Sequence, residues 1–190
     1  RFILGLGSQI KPHITKRFSM PWSSPAARMK EMVEAINAIW DCWQNGTKLN
    51  YRGEFYTHTL MTPFFNPGPN PYGLPKIYVA AVGPLMTQAV SESADGLLAH
   101  PFNSPKYIND VTLPIINKGL KTTGKTRDQF DLSVSVMTGI GATEETHQQA
   151  VKACRDQVAF YASTPNYKAV LETHGLGHLS EELNKLSKQG

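Results

Sequence analysis

A chain of 190 residues that is 41% hydrophobic and 18% charged is long enough for one well-cored domain and too apolar to be disordered throughout. Its formal charge of +4 is spread over scattered lysines and arginines, which argues against a nucleic-acid partner and suits a small anionic ligand such as a phosphorylated cofactor. No apolar run reaches the roughly 18 residues of a membrane helix, Arg1–Leu4 is too short for a secretory leader, and Cys42 and Cys154 read as reduced, buried thiols, so a cytoplasmic protein is expected.

The first apolar run, Phe2–Gly7, reads as a buried strand. It leads into Gly5-Leu6-Gly7-Ser8-Gln9-Ile10, which invites a dinucleotide-binding reading. That reading fails because Ile10 stands where the third glycine belongs and the next helix waits until Ser24-Pro25, whereas a pyrophosphate cradle needs the helix directly after the strand. A barrel strand ending in a glycine-relaxed loop, open to a flat ring or a phosphate, is the alternative.

Ser24 is a candidate cap with Pro25 in the first helical position. Met29, Met32, Val33, Ile36, Ile39, Trp40 and Trp43 then recur at helical spacing as one apolar face that stops before Asn45-Gly46. Trp22, Trp40 and Trp43 read as core or entry-loop packing. Residues 49–74, with Tyr51–Tyr56 and then Pro63, Pro67, Pro69 and Pro71, break the pattern. Such an excursion, carrying Phe55, Tyr56, Phe64 and Phe65, is expected to be a wall or lid, or else a packing arm or subunit contact.

Ile77–Val82 is the second strand, and Gly83-Pro84 turns it at once into a helix through Leu85, Ala89, Val90 and Ala94. The first amides of that helix lack partners, so the turn is either an anion site or a tight packing turn. Gly96–Ala99 is the third strand. His100 and Phe102 follow it, where a histidine is a structural residue or a ligand contact. A helix from Ser104-Pro105 through Ile108, Val111, Ile115 and Leu120 should kink at Pro114. Leu132–Met137 is the fourth strand. Thr143-Glu144-Glu145 opens a last long helix with Val151, Cys154, Val158 and Tyr161 on one face.

Strands alternating with helices imply a parallel sheet or barrel. His174-Gly175-Leu176-Gly177-His178 has a metal-like spacing, but its glycines oppose a helix and no metal is expected. No G-x-S-x-G elbow supports a nucleophilic triad. The chain begins at Arg1 and its tail, Glu181–Leu186, is a polar helix, so both ends read as cuts within a longer protein.

Taken together, several strings resemble the bacterial luciferase-like superfamily. Arg1–Ser8 resembles its fourth barrel strand, and the helix with Arg28, Glu31, Glu34 and Ile39-Trp40 follows as usual there. Gly53-Glu54-Phe55-Tyr56 resembles the segment before the next strand. Pro75–Pro84 resembles the fifth strand with its phosphate turn, and Ala94-Asp95-Gly96 the entry to the sixth. The resemblance implies an α/β fold: a partial (β/α)8 TIM barrel holding about strands four to seven with their helices. Residues 1–190 would form one luciferase-like domain, incomplete at both ends, with 49–74 as an excursion.

Within that superfamily the chain is similar to the subgroup using 8-hydroxy-5-deazaflavin (coenzyme F-420) rather than FMN. The resemblance implies an oxidoreductase acting on a small-molecule substrate, by monooxygenation with reduced FMN and oxygen or by hydride transfer with deazaflavin. A non-catalytic cofactor-binding or interaction module on the same barrel is the alternative. It further implies that Ser8 and Gln9 touch the cofactor ring or its tail, that His13 contacts the deazaflavin, and that Val82, Gly83 and Pro84 hold the phosphate tail. His100 and Asn103 would face the substrate. Ile10 stands where some deazaflavin dehydrogenases carry a glutamate proton acceptor, so that role is missing here or supplied from elsewhere. The catalytic acid or base is expected outside this sequence. A homodimer through barrel helices fits the resemblance.

Overall fold

The computed structural model describes residues 2–189; Arg1, the first residue of the luciferase-like string, lies outside them. In chain order the elements are β1 (Ile3–Leu6), α1 (Pro25–Asn45), the short pair β2 (Tyr51–Arg52) and β3 (Thr57–His58), β4 (Lys76–Ala81), α2 (Pro84–Ser93), β5 (Gly96–Ala99), α3 (Pro105–Tyr107), α4 (Leu113–Thr123), β6 (Asp131–Val134), α5 (Glu144–Ala162), α6 (Lys168–Glu172) and α7 (Leu179–Leu186). The four apolar runs make one parallel sheet in the order β1-β4-β5-β6, with Leu4 opposite Ile77, Val79 opposite Leu97, and Leu97 opposite Leu132. Neighbours in space are neighbours in sequence, and no strand reverses the order. This excludes the open dinucleotide-binding sheet and leaves a segment of a (β/α)8 barrel.

Strand periodicity places Ile77, Val79 and Ala81 on the helix side of β4, where all three are buried with Leu97, Ala99, Val33, Val90, Ile116 and Phe130 in one core. Lys76, Tyr78 and Ala80 fall on the opposite face. There Lys76 Nζ lies 2.8 Å from Asp131 Oδ2, and the Tyr78 hydroxyl donates to the same oxygen, so β4 reaches β6 across β5. Gly96 is the β5 residue between them. A Cβ added to it would lie 2.9 Å from both the Tyr78 ring and the Asp131 carbonyl. Helices α2 and α4 approach as closely. A Cβ at Gly119 would sit 2.8 Å from Ser91 Cβ and nearer still to its hydroxyl.

Local signals account for most helix ends. Gly46, at φ +67°, stops α1 in the left-handed conformation, its N–H donating to Cys42 O at 3.1 Å. Thr143 caps α5 by accepting from Thr146 N. Ser24 does not cap α1: its backbone is left-handed (φ 33°), its side chain accepts no capping bond, and Ser23 instead receives Arg28. The kink expected at Pro114 is a π-helical turn over Ile108–Thr112, just ahead of the proline. Pro114 has no N–H for a regular turn, and the wider turn relieves its ring.

Residues 49–74 are not structureless. Gly53–Tyr56 forms the bend of the β2–β3 hairpin, and Glu31 of α1 accepts the N–H groups of Glu54 (2.8 Å), Phe55 (2.8 Å) and Tyr56 (3.2 Å). Burial works to raise the Glu31 pKa, but those three donors and Arg28 outweigh it and hold the carboxyl below its ordinary value. Arg28 covers the Phe55 ring at 4.5 Å. Beyond the hairpin, Phe64, Phe65 and Tyr72 are exposed.

Candidate functional site

Parallel strands present their carboxyl ends together, and here the loops leaving β1 and β4 lie side by side. They bound a cleft of about 990 Å³. One wall is Gly7-Ser8-Gln9-Ile10, another Ala80–Met86, a third the start of α1 from Ser24 to Ala27, with Trp22 beside it. His100, whose N–H donates to Ala81 O, completes the lining with Asn166 and Tyr167. Gln9 and Ser24 both line it with left-handed backbones (φ 57° and 33°), a conformation that L side chains seldom adopt.

The glycine at the β4–α2 turn is instructive. Gly83 has an ordinary φ of −81°, and a Cβ built on it meets no heavy atom within 4 Å. Neither backbone conformation nor protein packing demands a glycine there; it leaves open space on the cleft wall. Pro84 follows at the first helical position and has no N–H. The amides of Leu85 and Met86 lie in the first turn of α2, where a helix offers no internal acceptor.

His100 is held on several sides. Its Nδ1 accepts the Phe102 N–H at 3.1 Å, so in the neutral ring the hydrogen is on Nε2, 3.4 Å from the Tyr167 hydroxyl. The ring packs edge-on against Tyr161 (4.6 Å between centroids) and tilted against Tyr167 (4.7 Å). Burial lowers its pKa. Also on the cleft lining, Lys30 Nζ and Glu92 Oε2 are 2.6 Å apart, and hydrogen bonds from Lys30 and Gln88 hold the Glu92 carboxyl below its usual value.

The sequence matches the family described as luciferase-like monooxygenase over residues 1–190. The chain belongs to the luciferase-like monooxygenase family. An uncharacterized protein of Mycobacterium tuberculosis (strain ATCC 25618 / H37Rv) is 53% identical over the whole chain, which covers 56% of that relative. The 5,10-methylenetetrahydromethanopterin reductase of Archaeoglobus fulgidus is 32% identical, again over the whole chain and 54% of the relative. Among solved structures, the coenzyme F420 dependent tetrahydromethanopterin reductase from Methanopyrus kandleri superposes with a TM-score of 0.66 at 22% identity, over 92% of this chain and 50% of that one, and so shares the fold. The chain spans about half the length of the curated relatives it matches.

Around this cleft, the residues singled out from sequence divide. Ser8, Gln9, Val82, Gly83, Pro84 and His100 all line the cleft. His13 does not: it begins a π-helical turn behind the loop, with Nδ1 3.0 Å from Gln9 Oε1. Asn103 does not line it either. Its amide donates back to the His100 carbonyl, and it borders a separate inner cavity of about 10 Å³ behind Val82. None of the cleft-lining residues comes from 49–74, so that excursion is no wall of this cleft. His174, of the metal-like pair, instead bonds Ser104 Oγ through Nε2 at 2.8 Å. Trp22, Lys30, Glu92, Asn166 and Tyr167 line the cleft without having been singled out as site residues. Tyr167 sits in a short turn after α5, 67 residues from His100, and carried no local signal.

Proposed function

We propose that this protein is a deazaflavin-dependent oxidoreductase whose chemistry is hydride transfer, with the cleft between the Ser8 loop and the Gly83 turn as its cofactor site. The single observation that carries this reading is the continuity of that cleft. One opening of about 990 Å³ joins a glycine-relaxed strand end, able to lie against a flat ring, to a helix start with unsatisfied amides, able to hold a phosphate. The space at Gly83 fits such a tail, since a side chain there would project into the cradle. The name of the Methanopyrus relative, a coenzyme F420 dependent reductase, supports a deazaflavin over FMN. A bound deazaflavin supplies a ring carbon that exchanges two electrons as hydride and reacts poorly with oxygen.

The chain's own residues then have distinct tasks. Leu85 and Met86 hold the phosphate through their amides. Gly7, Ser8 and Gln9 set the plane of the ring. Ile10 and Trp22 exclude water from it, and neutral His100 presents its wall to the substrate. Titrating the protein with coenzyme F420 and, separately, with FMN, and following the visible spectrum, tests the reading. Saturable binding of the deazaflavin is expected; binding of neither would defeat it.

Two observations favour a second reading, a cofactor-binding module without turnover. Ile10 lines the cleft where an acid would serve, and the charged pair Lys30–Glu92 is engaged with itself. Steady oxidation or reduction of bound deazaflavin with a substrate would exclude it.

A further inference from the structure

We infer that Tyr107, a residue outside the cleft, is the positioning residue that aims the Gly83 N–H at the cofactor's phosphate; the inference rests on the cofactor reading above. Val82 lies just past the end of β4, where its carbonyl has left the sheet ladder and its peptide plane could turn. Tyr107 fixes that plane. Its hydroxyl donates to Val82 O at 2.9 Å, and the residue is only 2% exposed, so the carbonyl is drawn inward, away from the cleft. In a trans peptide the C=O and the following N–H point in opposite directions. Drawing the Val82 carbonyl inward therefore turns the Gly83 N–H outward, towards the open space that the missing Gly83 side chain leaves.

The next carbonyl is engaged too. Gly83 O accepts both the Thr87 N–H and the Thr87 hydroxyl at 3.0 Å, and Thr87 is 2% exposed. With both carbonyl oxygens turned to protein donors, the turn offers an anion its N–H groups. Tyr107 is itself anchored: its N–H donates to Ser104 Oγ at 3.1 Å, and burial raises its phenol pKa, which keeps the hydroxyl a donor.

The test uses two ligands, coenzyme F420 and its parent 8-hydroxy-5-deazaflavin ribitol compound without the phosphate tail. Tyr107→Phe keeps the ring and removes only the hydroxyl. Calorimetric titration should show affinity for the tailed cofactor falling about tenfold, the size of one lost hydrogen bond of this kind, with affinity for the tail-less parent unchanged. Equal losses for both ligands, or no loss, would overturn the inference. Should the variant melt early, the wild-type protein still decides: its Gly83 amide resonance should shift with the tailed cofactor and not with the parent. An amide that responds to both alike, or to neither, overturns it. Wild-type protein that binds no deazaflavin defeats the function proposed above. Binding with an unresponsive Gly83 defeats only the role of Tyr107.

Discussion

The sheet with α1, α2 and α4, and the tail from α5 to α7, are built on different principles. In the first region a single core runs from Met29 to Phe130, and the helix-side residues of β4 and β5 have almost no exposure. In the second, nineteen residues of α5 bury only Ala162, while Val158 and Phe160 stay exposed. What holds the tail is a small cluster of Phe102, Tyr107, Ala162 and Val170, with Tyr161 and Tyr167 packed against both it and His100. The layered region is stabilised by area removed from water. The tail depends on a few ring contacts, and one of those rings, Tyr167, lines the cleft beside His100. Stability and the cleft lining thus meet in the second region at Tyr167.

The largest test of this contrast is a pair of truncations. Leu97→Ala, at 1% exposure in the sheet core, should cost about 2–5 kcal/mol in urea unfolding, against less than about 0.5 kcal/mol for Val158→Ala on α5. Comparable losses would mean that the tail is cored as tightly as the sheet. Next comes the α2–α4 crossing. Gly119→Ala gains helix propensity of roughly 1 kcal/mol but forces Ser91 aside, and Ser91 is fully buried with its hydroxyl bonded to Gln88 O. A net loss of about 1–2 kcal/mol is expected; a gain would show that the helices can separate freely.

The smallest effect is one of pH. Because burial lowers the His100 pKa, the unfolded chain takes up that proton first as pH falls below the ordinary value of 6.5. The contribution is fully present above pH 6.5 and is lost as the medium is acidified towards the depressed folded value. Urea midpoints measured between pH 7.5 and 5.5 should fall less steeply in His100→Gln than in the wild type. Parallel slopes would place the pH response in other groups.

What could be read from the residues alone follows the range of the forces involved. The apolar runs that became β4 and β5 were legible within a residue or so, because their helix-side residues are buried and the other face of each carries mostly small or apolar side chains. Gly46 and Thr143 marked helix ends because capping is local. The Ser8 loop and the Gly83 turn were legible through glycine. Three contacts that shape the cleft were not: Lys30 with Glu92, His100 with Tyr167, and Tyr107 with Val82 join residues 62, 67 and 25 apart, and no short window contains both partners. Ser24 misled because a serine before a proline is a common cap, whereas here strain at the cleft edge takes precedence over the cap. The excursion misled because its hairpin strands are two residues each, too short to show alternation, and are fastened by one distant carboxylate, Glu31.

The bare spot at Gly96 acts as a keyway for assembly. A two-residue slip of the third main-sheet strand would slide Leu98 under the ring of Tyr78, and the latch from Tyr78 and Lys76 to Asp131 could not close over it. Correct alignment of three strands is thereby checked at one point on the floor of the sheet, far from the rim where the cleft opens.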